Sequence, residues 1–271
     1  MTSSKHKARQ IDTRPLSRGL LFFRNFRFLF NVTHKIAKQM KHTAFLFLAL
    51  TGILGIIGTV SAQSSQNRSV SGFNSVANAG SFSVHVKITG TESLKITADA
   101  SIIDEVETVV NGGNLEVRFK HPHEQHHYNG RVDVYITAKS LNALVCSGSG
   151  SVELDGALKG REANVTLSGS GAISAGIASD ALEATISGSG KINLNGSTGK
   201  TTVTISGSGD LKAEDLKTDV AEVQTTGSGN VHLNVNKKIS AHIVGSGNVY
   251  YTGTATDVKS QTIGSGRIHK G

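Results

Sequence analysis

The tripeptide Gly-Ser-Gly occurs seven times in the second half of the chain, and successive copies begin 18 to 21 residues apart. Self-similarity at a period of this length is the signature of a stacked repeat architecture. In such a protein each repeat buries its apolar side chains against the neighbouring repeats. The glycines of the seven copies are Gly148, Gly150, Gly169, Gly171, Gly188, Gly190, Gly207, Gly209, Gly227, Gly229, Gly245, Gly247, Gly264 and Gly266.

Apolar residues flank the copies at a constant offset. The residue two positions after the second glycine is always Val, Ile or Leu, and the residue two positions before the first is Ile, Leu or Cys in five copies and Thr in two. Side chains two residues apart share one face of a β-strand. We therefore expect both glycines to face inward at a sharp corner, where larger side chains would collide, and the serines to form an outward ladder.

These features predict an all-β fold, a parallel β-helix with coils of about 19 residues and Gly-Ser-Gly corners. A helical solenoid is excluded because no part of the repeat keeps a 3.6-residue apolar period. Silk-like disorder is the alternative, but the regular apolar pairs argue against it. We assign seven coils of the β-helix to residues 141–271.

Residues 63–140 precede the repeats and also alternate polar and apolar side chains. We expect this region to form irregular first coils, or a cap that closes one end of the β-helix. Within it, we expect a short helix over 101–110 that begins at Ser101. The Asn-Gly-Gly sequence at 111–113 predicts a turn into the next strand.

The charge of the chain is concentrated in its first 62 residues. They hold ten basic residues and one acidic residue, which leaves 18 basic and 19 acidic residues in 63–271. Nucleic-acid binding needs a sustained basic surface, because neutralisation of phosphates supplies most of the affinity. The near-neutral body therefore argues against a nucleic-acid partner.

Residues 40–62 have the pattern of a secretory signal peptide. Met40 and Lys41 precede an apolar run from Ala44 to Ile57, and Val-Ser-Ala precedes Gln63. The run is shorter than the roughly 20 residues of a membrane span, although an uncleaved anchor is the alternative. We expect residues 1–39 to be translated from upstream of the true start, and the protein to be exported to the periplasm, the outer-membrane surface or the extracellular space.

Three segments resemble the auto-transporter adhesin family with the head GIN domain, which is found in exported proteins of Gram-negative bacteria. They are Arg-Ser-Val-Ser-Gly-Phe-Asn-Ser-Val at 68–76, Gly-Asn-Leu-Glu-Val-Arg-Phe at 113–119, and the serial Ser-Gly-Ser-Gly segments. The resemblance covers roughly 68–268 and implies a right-handed β-helix with an adhesive role at the cell envelope or surface. No translocator barrel or sorting domain follows the repeats, so we do not expect self-transport across an outer membrane.

A histidine-rich segment is the densest cluster of metal-ligating side chains. Its imidazoles, with Glu124 among them, are a candidate Zn or Cu site. Their spacing matches no defined structural site, so a solvated loop is the favoured interpretation, and we expect no cofactor. The candidate ligands are His121, His123, His126 and His127.

Two other motifs are interpreted as structural. Cys146 occupies an inward apolar position, which favours a small buried hydrophobic side chain over a reactive thiol. The segment 194–203 lacks the first glycine of a phosphate-binding loop, because Leu194 stands at that position.

Polar side chains that follow the corners of the last three coils form the candidate binding surface. A mixed polar face with an aromatic residue suits contact with a carbohydrate or a protein. A solvated ladder that only stacks the coils is the alternative. The candidate residues are Asn230, His232, Asn248, Tyr250, Arg267 and His269.

The function favoured by these observations is an exported binding or structural module of the cell envelope or surface, adhesin-like and without catalysis. Its expected partner is a glycan or an envelope protein. The alternative is a glycan-active enzyme, a polysaccharide lyase or hydrolase built on a β-helix. Because little sequence remains to cover the strand edges of the last coil, we also expect self-association through that end.

Overall fold

The computed structural model describes residues 63–121 and 130–271, and strands account for most of both ranges. The expected upstream extension (1–39) and the expected signal peptide (40–62) lie outside the described residues. The strands are β1 (Gln63–Arg68), β2 (Ser75–Ala79), β3 (Ser83–Ile88), β4 (Ser93–Asp99), β5 (Val106–Asn111), β6 (Asn114–Phe119), β7 (Asp133–Ala138), β8 (Ala143–Gly148), β9 (Ser151–Gly169), β10 (Ala172–Gly188), β11 (Lys191–Gly207), β12 (Asp210–Gly227), β13 (Val231–Gly245), β14 (Val249–Thr252), β15 (Asp257–Gly264) and β16 (Ile268–Lys270).

The long strands β9 to β13 wind into stacked coils. Each runs through most of one coil and pairs in parallel with the coil before it and the coil after it. Ile173 of β10, for example, lies between Val152 of β9 and Ile192 of β11. The predicted all-β fold is confirmed as a parallel β-solenoid of about seven turns.

The interior of the solenoid is one continuous cluster of apolar side chains. Val152, Ile173 and Ile192, which are inward residues that follow three of the corners, are at most 1% exposed. Burying each such side chain stabilises the fold by about 1.5–3 kcal/mol. Cys146 is buried in the same cluster, as expected, and burial raises the pKa of its thiol.

Only the second glycine of each corner faces the interior. A β-carbon on Gly209 would lie 2.5 Å from Cγ2 of Ile186 and 2.8 Å from the carbonyl oxygen of Gly190. The first glycine is different, which corrects the expectation that both face inward. Gly207 has a φ of +121°, and its added β-carbon would strike the carbonyl oxygen of Gly188 in the preceding coil. The left-handed backbone turns this position towards the neighbouring coil instead of the core.

Hydroxyl side chains at matching positions of three neighbouring strands form hydrogen bonds with their own backbone. Ser179, Thr198 and Thr218 are paired across β10, β11 and β12. Each donates a hydrogen bond to the carbonyl oxygen two residues further along the chain, at 2.8 to 3.2 Å. These local bonds give each carbonyl oxygen a side-chain partner within its own strand.

The N-terminal region extends the same sheet with mixed pairing. Strand β3 pairs in parallel with β9 and with β7, whereas β4 pairs antiparallel with β7 and with β1. On another side, β2 pairs in parallel with β8 and β6, and β5 forms an antiparallel hairpin with β6. The pairing of these strands therefore departs from the regular parallel pattern of β9 to β13.

The expected helix over 101–110 is wrong. Only Ile103–Glu105 form one turn of 3₁₀-helix, and Val106–Asn111 are strand β5. The β-branched residues of β5 favour a strand, and the Asn-Gly-Gly turn brings this segment back along β6. None of the helices in the described ranges is long and apolar enough to cross a membrane.

Candidate binding surface

One outward side chain from each of ten neighbouring strands forms a continuous row along the solenoid. The strands follow the order β4, β7, β3, β9, β10, β11, β12, β13, β14 and β16. With about 4.8 Å between strands, the row is about 43 Å long. We call it the axial row, and its members in spatial order are Lys95, Tyr135, His85, Glu153, Ser174, Asn193, Lys212, His232, Tyr250 and His269.

Three aromatic rings stack at one end of the axial row. The ring of Tyr250 lies between those of His232 and His269, with centroid distances of 4.8 and 5.0 Å and interplanar angles of 20° and 15°. Nδ1 of His232 also lies 2.9 Å from a carboxylate oxygen of Glu214. We call these three residues, His232, Tyr250 and His269, the C-terminal stack. Tyr250 is 37% exposed, so the stack presents to the solvent an aromatic side chain that its neighbours hold in place.

Beside this stack, a second row of polar residues ties the coils together. The backbone N–H of Asn230 donates to Oδ1 of Asp210, that of Asn248 to Oδ1 of Asn230, and that of Arg267 to Oδ1 of Asn248, at 3.1 to 3.2 Å. The side-chain oxygens of Asn230 and Asn248 are therefore occupied by coil stacking. The guanidinium of Arg267 is not used in this ladder.

Two further rings stack on each other at the other end of the axial row, and the sequence did not predict them. The rings of His85 and Tyr135 have centroids 5.1 Å apart and an interplanar angle of 17°. They border a groove of about 660 Å³, whose other lining residues include Lys87, Lys95 and Thr137. Each ring stands at an outward position of an alternating strand, which is the only sequence signal that could have found them.

Charged side chains line the side of this groove towards β9. Nζ of Lys87 lies 2.8 Å from a carboxylate oxygen of Asp155, and this hydrogen bond raises the pKa of Lys87. The imidazole of His85 lies 3.6 Å from Glu153 and 3.9 Å from Asp133. Positively and negatively charged side chains that can form hydrogen bonds therefore surround the rings of His85 and Tyr135.

The histidine-rich segment is only partly described. Nδ1 of His121 lies 3.3 Å from a carboxylate oxygen of Glu105. His123, His126 and His127 lie outside the described residues, so the candidate metal site remains a prediction. Within 63–121 and 130–271, no group of three or more metal-ligating side chains is assembled.

The chain is similar to several solved structures over most of their length. A structure from Bacteroides fragilis described as a putative adhesin has a TM-score of 0.71 and 19% identity, and covers 77% of this chain and 97% of its own. One from Parabacteroides distasonis described as a putative lipid binding protein has a TM-score of 0.66 and 25% identity, with coverage of 78% and 98%. A putative adhesin from Parabacteroides merdae has a TM-score of 0.62 and 22% identity, with coverage of 78% and 97%.

None of the curated proteins compared with the chain is significantly similar to it. A family model, described as "Putative auto-transporter adhesin, head GIN domain", matches residues 72–255. That range extends from the first coils nearly to β15 and contains most of the axial row. The chain therefore belongs to the auto-transporter adhesin family with the head GIN domain.

Proposed function

We propose that this protein is an exported binding module of the cell envelope or surface, and that it binds glycans through the C-terminal stack together with Arg267. The observation that carries the proposal is the exposed ring of Tyr250, held between two imidazoles on the solenoid surface. Stacking limits the movement of the ring before a ligand arrives, which lowers the entropic cost of binding.

The chemistry of the stack suits a polyhydroxylated ligand. Tyr and His side chains combine an apolar body with polar atoms at the ring edge, so they contact both the C–H and the O–H groups of a sugar. The guanidinium of Arg267 adds further donors at the neighbouring position. The polar character of this surface favours a glycan over a lipid.

Binding is favoured over catalysis by the exposure of two carboxylates beside the rings of His85 and Tyr135. A glycosidase needs a carboxylic acid that stays protonated, which requires shielding from water. The side chain of Glu153 is 70% exposed and that of Asp155 is 69% exposed, and Asp155 is paired with Lys87. These groups suit hydrogen bonding to sugar hydroxyls better than proton transfer.

Export follows from the proposed signal peptide at 40–62, and family membership is consistent with a surface role. Cleavage after Ala62 would produce a mature protein that begins with Gln63, the first residue of β1. Mass spectrometry of the protein recovered from a Gram-negative host tests this assignment. A mature N-terminus at Gln63 supports it, and an intact N-terminus at Met1 or Met40 contradicts it.

Glycan-array binding by the purified protein tests the proposed surface. We expect the triple variant Tyr250→Ala, Arg267→Ala, His269→Ala to lose binding to any glycan that the unchanged protein binds. The matched control is the double variant Glu183→Ala, Gln224→Ala, whose exposed positions lie outside the axial row.

The melting temperature of each variant is measured alongside binding. All altered side chains are exposed, so we expect each substitution to change the unfolding free energy by less than about 1 kcal/mol. Loss of binding with an unchanged melting temperature supports the proposal. Equal binding by the triple variant and the control contradicts it, as does a blank array.

A further inference from the structure

The groove beside Tyr135 plays no part in the C-terminal contact surface, although it lies on the same axial row. We propose that it is a second sugar-binding subsite, separate from the C-terminal stack, so that the ligand is a linear, uncharged polysaccharide lying along the axial row. This inference rests on the proposed function and specifies its ligand class.

The groove has the composition of a sugar subsite. The imidazole of His85 covers one face of the Tyr135 ring, and Tyr135 remains 48% exposed, so about half of the side chain is open to a ligand. Thr137 and Ser93, whose hydroxyl oxygens are 2.8 Å apart, provide short side chains beside the ring. A concave surface with an aromatic ring and a few polar groups is typical of small-molecule subsites.

The charges around the groove favour an uncharged ligand. Lys87 and Lys95 carry positive charge, whereas Asp133, Glu153 and Asp155 carry negative charge. A polyanion would meet the carboxylates, and a polycation would meet the ammonium groups. Sugar hydroxyls donate to carboxylates and accept from ammonium groups without any charge mismatch.

The surface between the two groups of rings can accommodate a continuous chain. His85 and His232 are separated by five strand-to-strand steps, or about 24 Å. Two of the row positions between them are the short residues Ser174 and Asn193, which are half-buried. A disaccharide is too short to reach both groups of rings, whereas a polymer of several sugar units spans them.

Simultaneous contact at both ends has a measurable consequence. When one subsite holds the polymer, the second binding event becomes intramolecular, and affinity rises by roughly 10²–10⁴-fold without any new type of contact. The polymer should therefore bind far more tightly than its own disaccharide, and removal of either group of rings should abolish that gain.

Affinity electrophoresis and calorimetry with the purified protein test the inference. The probes are soluble linear forms of an uncharged glucan, mannan and xylan, the disaccharide of each, and polygalacturonate as an acidic polymer. The variants are Tyr135→Ala, Ser93→Arg, which fills the groove and leaves Tyr135 in place, and the triple variant of the C-terminal stack. The double variant Glu183→Ala, Gln224→Ala is again the control.

We expect at least one uncharged polymer to bind, and both Tyr135→Ala and Ser93→Arg to weaken it by roughly 10²-fold. If only the triple variant loses binding to the polymer, the second subsite is overturned and the proposed function stands. If only the two groove variants lose binding, a sugar site at the groove is supported. The proposed C-terminal surface is then overturned, and so is the inference that one polymer contacts both groups of rings. Binding of polygalacturonate alone overturns the uncharged ligand class, and no binding of any probe overturns both proposals.

Discussion

The ring of Tyr250 stacks on that of His269 in the next coil, with centroids 5.0 Å apart and planes inclined by 15°. The two residues are 19 positions apart in sequence, one period of the Gly-Ser-Gly repeat. The repeat that builds the solenoid therefore also sets the spacing of the stacked rings. Fold and candidate binding surface follow from the same periodicity, which makes both testable by single substitutions.

Gly209→Ala should destabilise the protein by about 2 kcal/mol, because the added methyl group would overlap Cγ2 of Ile186 in a packed interior. Ser208→Ala in the same corner is the control, since Ser208 is exposed and we expect a change below about 0.5 kcal/mol. Urea unfolding followed by circular dichroism measures both. Equal stability of the two variants would show that the second glycine is not needed for packing.

Asn248→Ala should cost about 1 kcal/mol, because it removes the oxygen that accepts the backbone N–H of Arg267. Asn248→Asp keeps an acceptor oxygen at the same position, so we expect its unfolding free energy to stay within about 0.5 kcal/mol of the unchanged protein. Comparing the unfolding free energies of the two variants separates the contribution of this hydrogen bond from a general effect of substitution at the position. A loss of stability as large in the Asp variant as in the Ala variant would rule out the ladder's role.

Cys146 should resist thiol reagents in the folded protein. Its side chain is fully buried, and burial raises the pKa of its thiol, so both access and thiolate formation are disfavoured. Incubation with Ellman's reagent should release no chromophore from native protein, and one equivalent after unfolding in urea. Rapid labelling of the native protein would contradict the buried assignment.

Glu92 should contribute stability at neutral pH that is lost in acid. Lys139 donates a hydrogen bond to its carboxylate, which lowers the pKa of Glu92, and the backbone N–H of Gly72 donates a second bond. A carboxyl whose folded-state pKa is lowered stabilises the protein above its unfolded pKa of about 4.3, and the contribution disappears as pH falls through the folded value.

The matching variant is Glu92→Gln, which cannot ionise. Its deficit in unfolding free energy should be largest near neutral pH and should shrink as the pH falls below about 4. Parallel denaturation series at several pH values measure this difference. A deficit that is constant across the range would show that ionisation of Glu92 does not contribute.

The constant period allowed the coils to be predicted from sequence. Coils of nearly equal length place residues at equal offsets from their corners side by side, so the alignment of Lys212, His232, Tyr250 and His269 could be inferred by counting. The local conformation of the corner could not be predicted from the sequence. The left-handed φ of Gly207 depends on contact with the preceding coil, which a single repeat does not reveal.

The N-terminal end of the axial row could not be predicted in this way. Tyr135 lies next to His85 because β7 enters the sheet between β3 and β4, although 44 residues separate β7 from β3 in sequence. No repeat period fixes that pairing, and the connections in this region differ in length. The valine-rich segment at 106–111 shows the same limit, because its pairing with β6 overrides the helix expected there.

The most direct test of the proposed contact surface is footprinting of exposed tyrosines by nitration and mass spectrometry, with and without a saturating bound glycan. Free protein should be nitrated at Tyr250 and Tyr135, which are exposed, and spared at Tyr251, which is buried. We expect the bound glycan to protect Tyr250 strongly. Nitration of Tyr250 at an unchanged rate in the saturated complex would contradict the proposal that the protein binds glycans through the C-terminal stack.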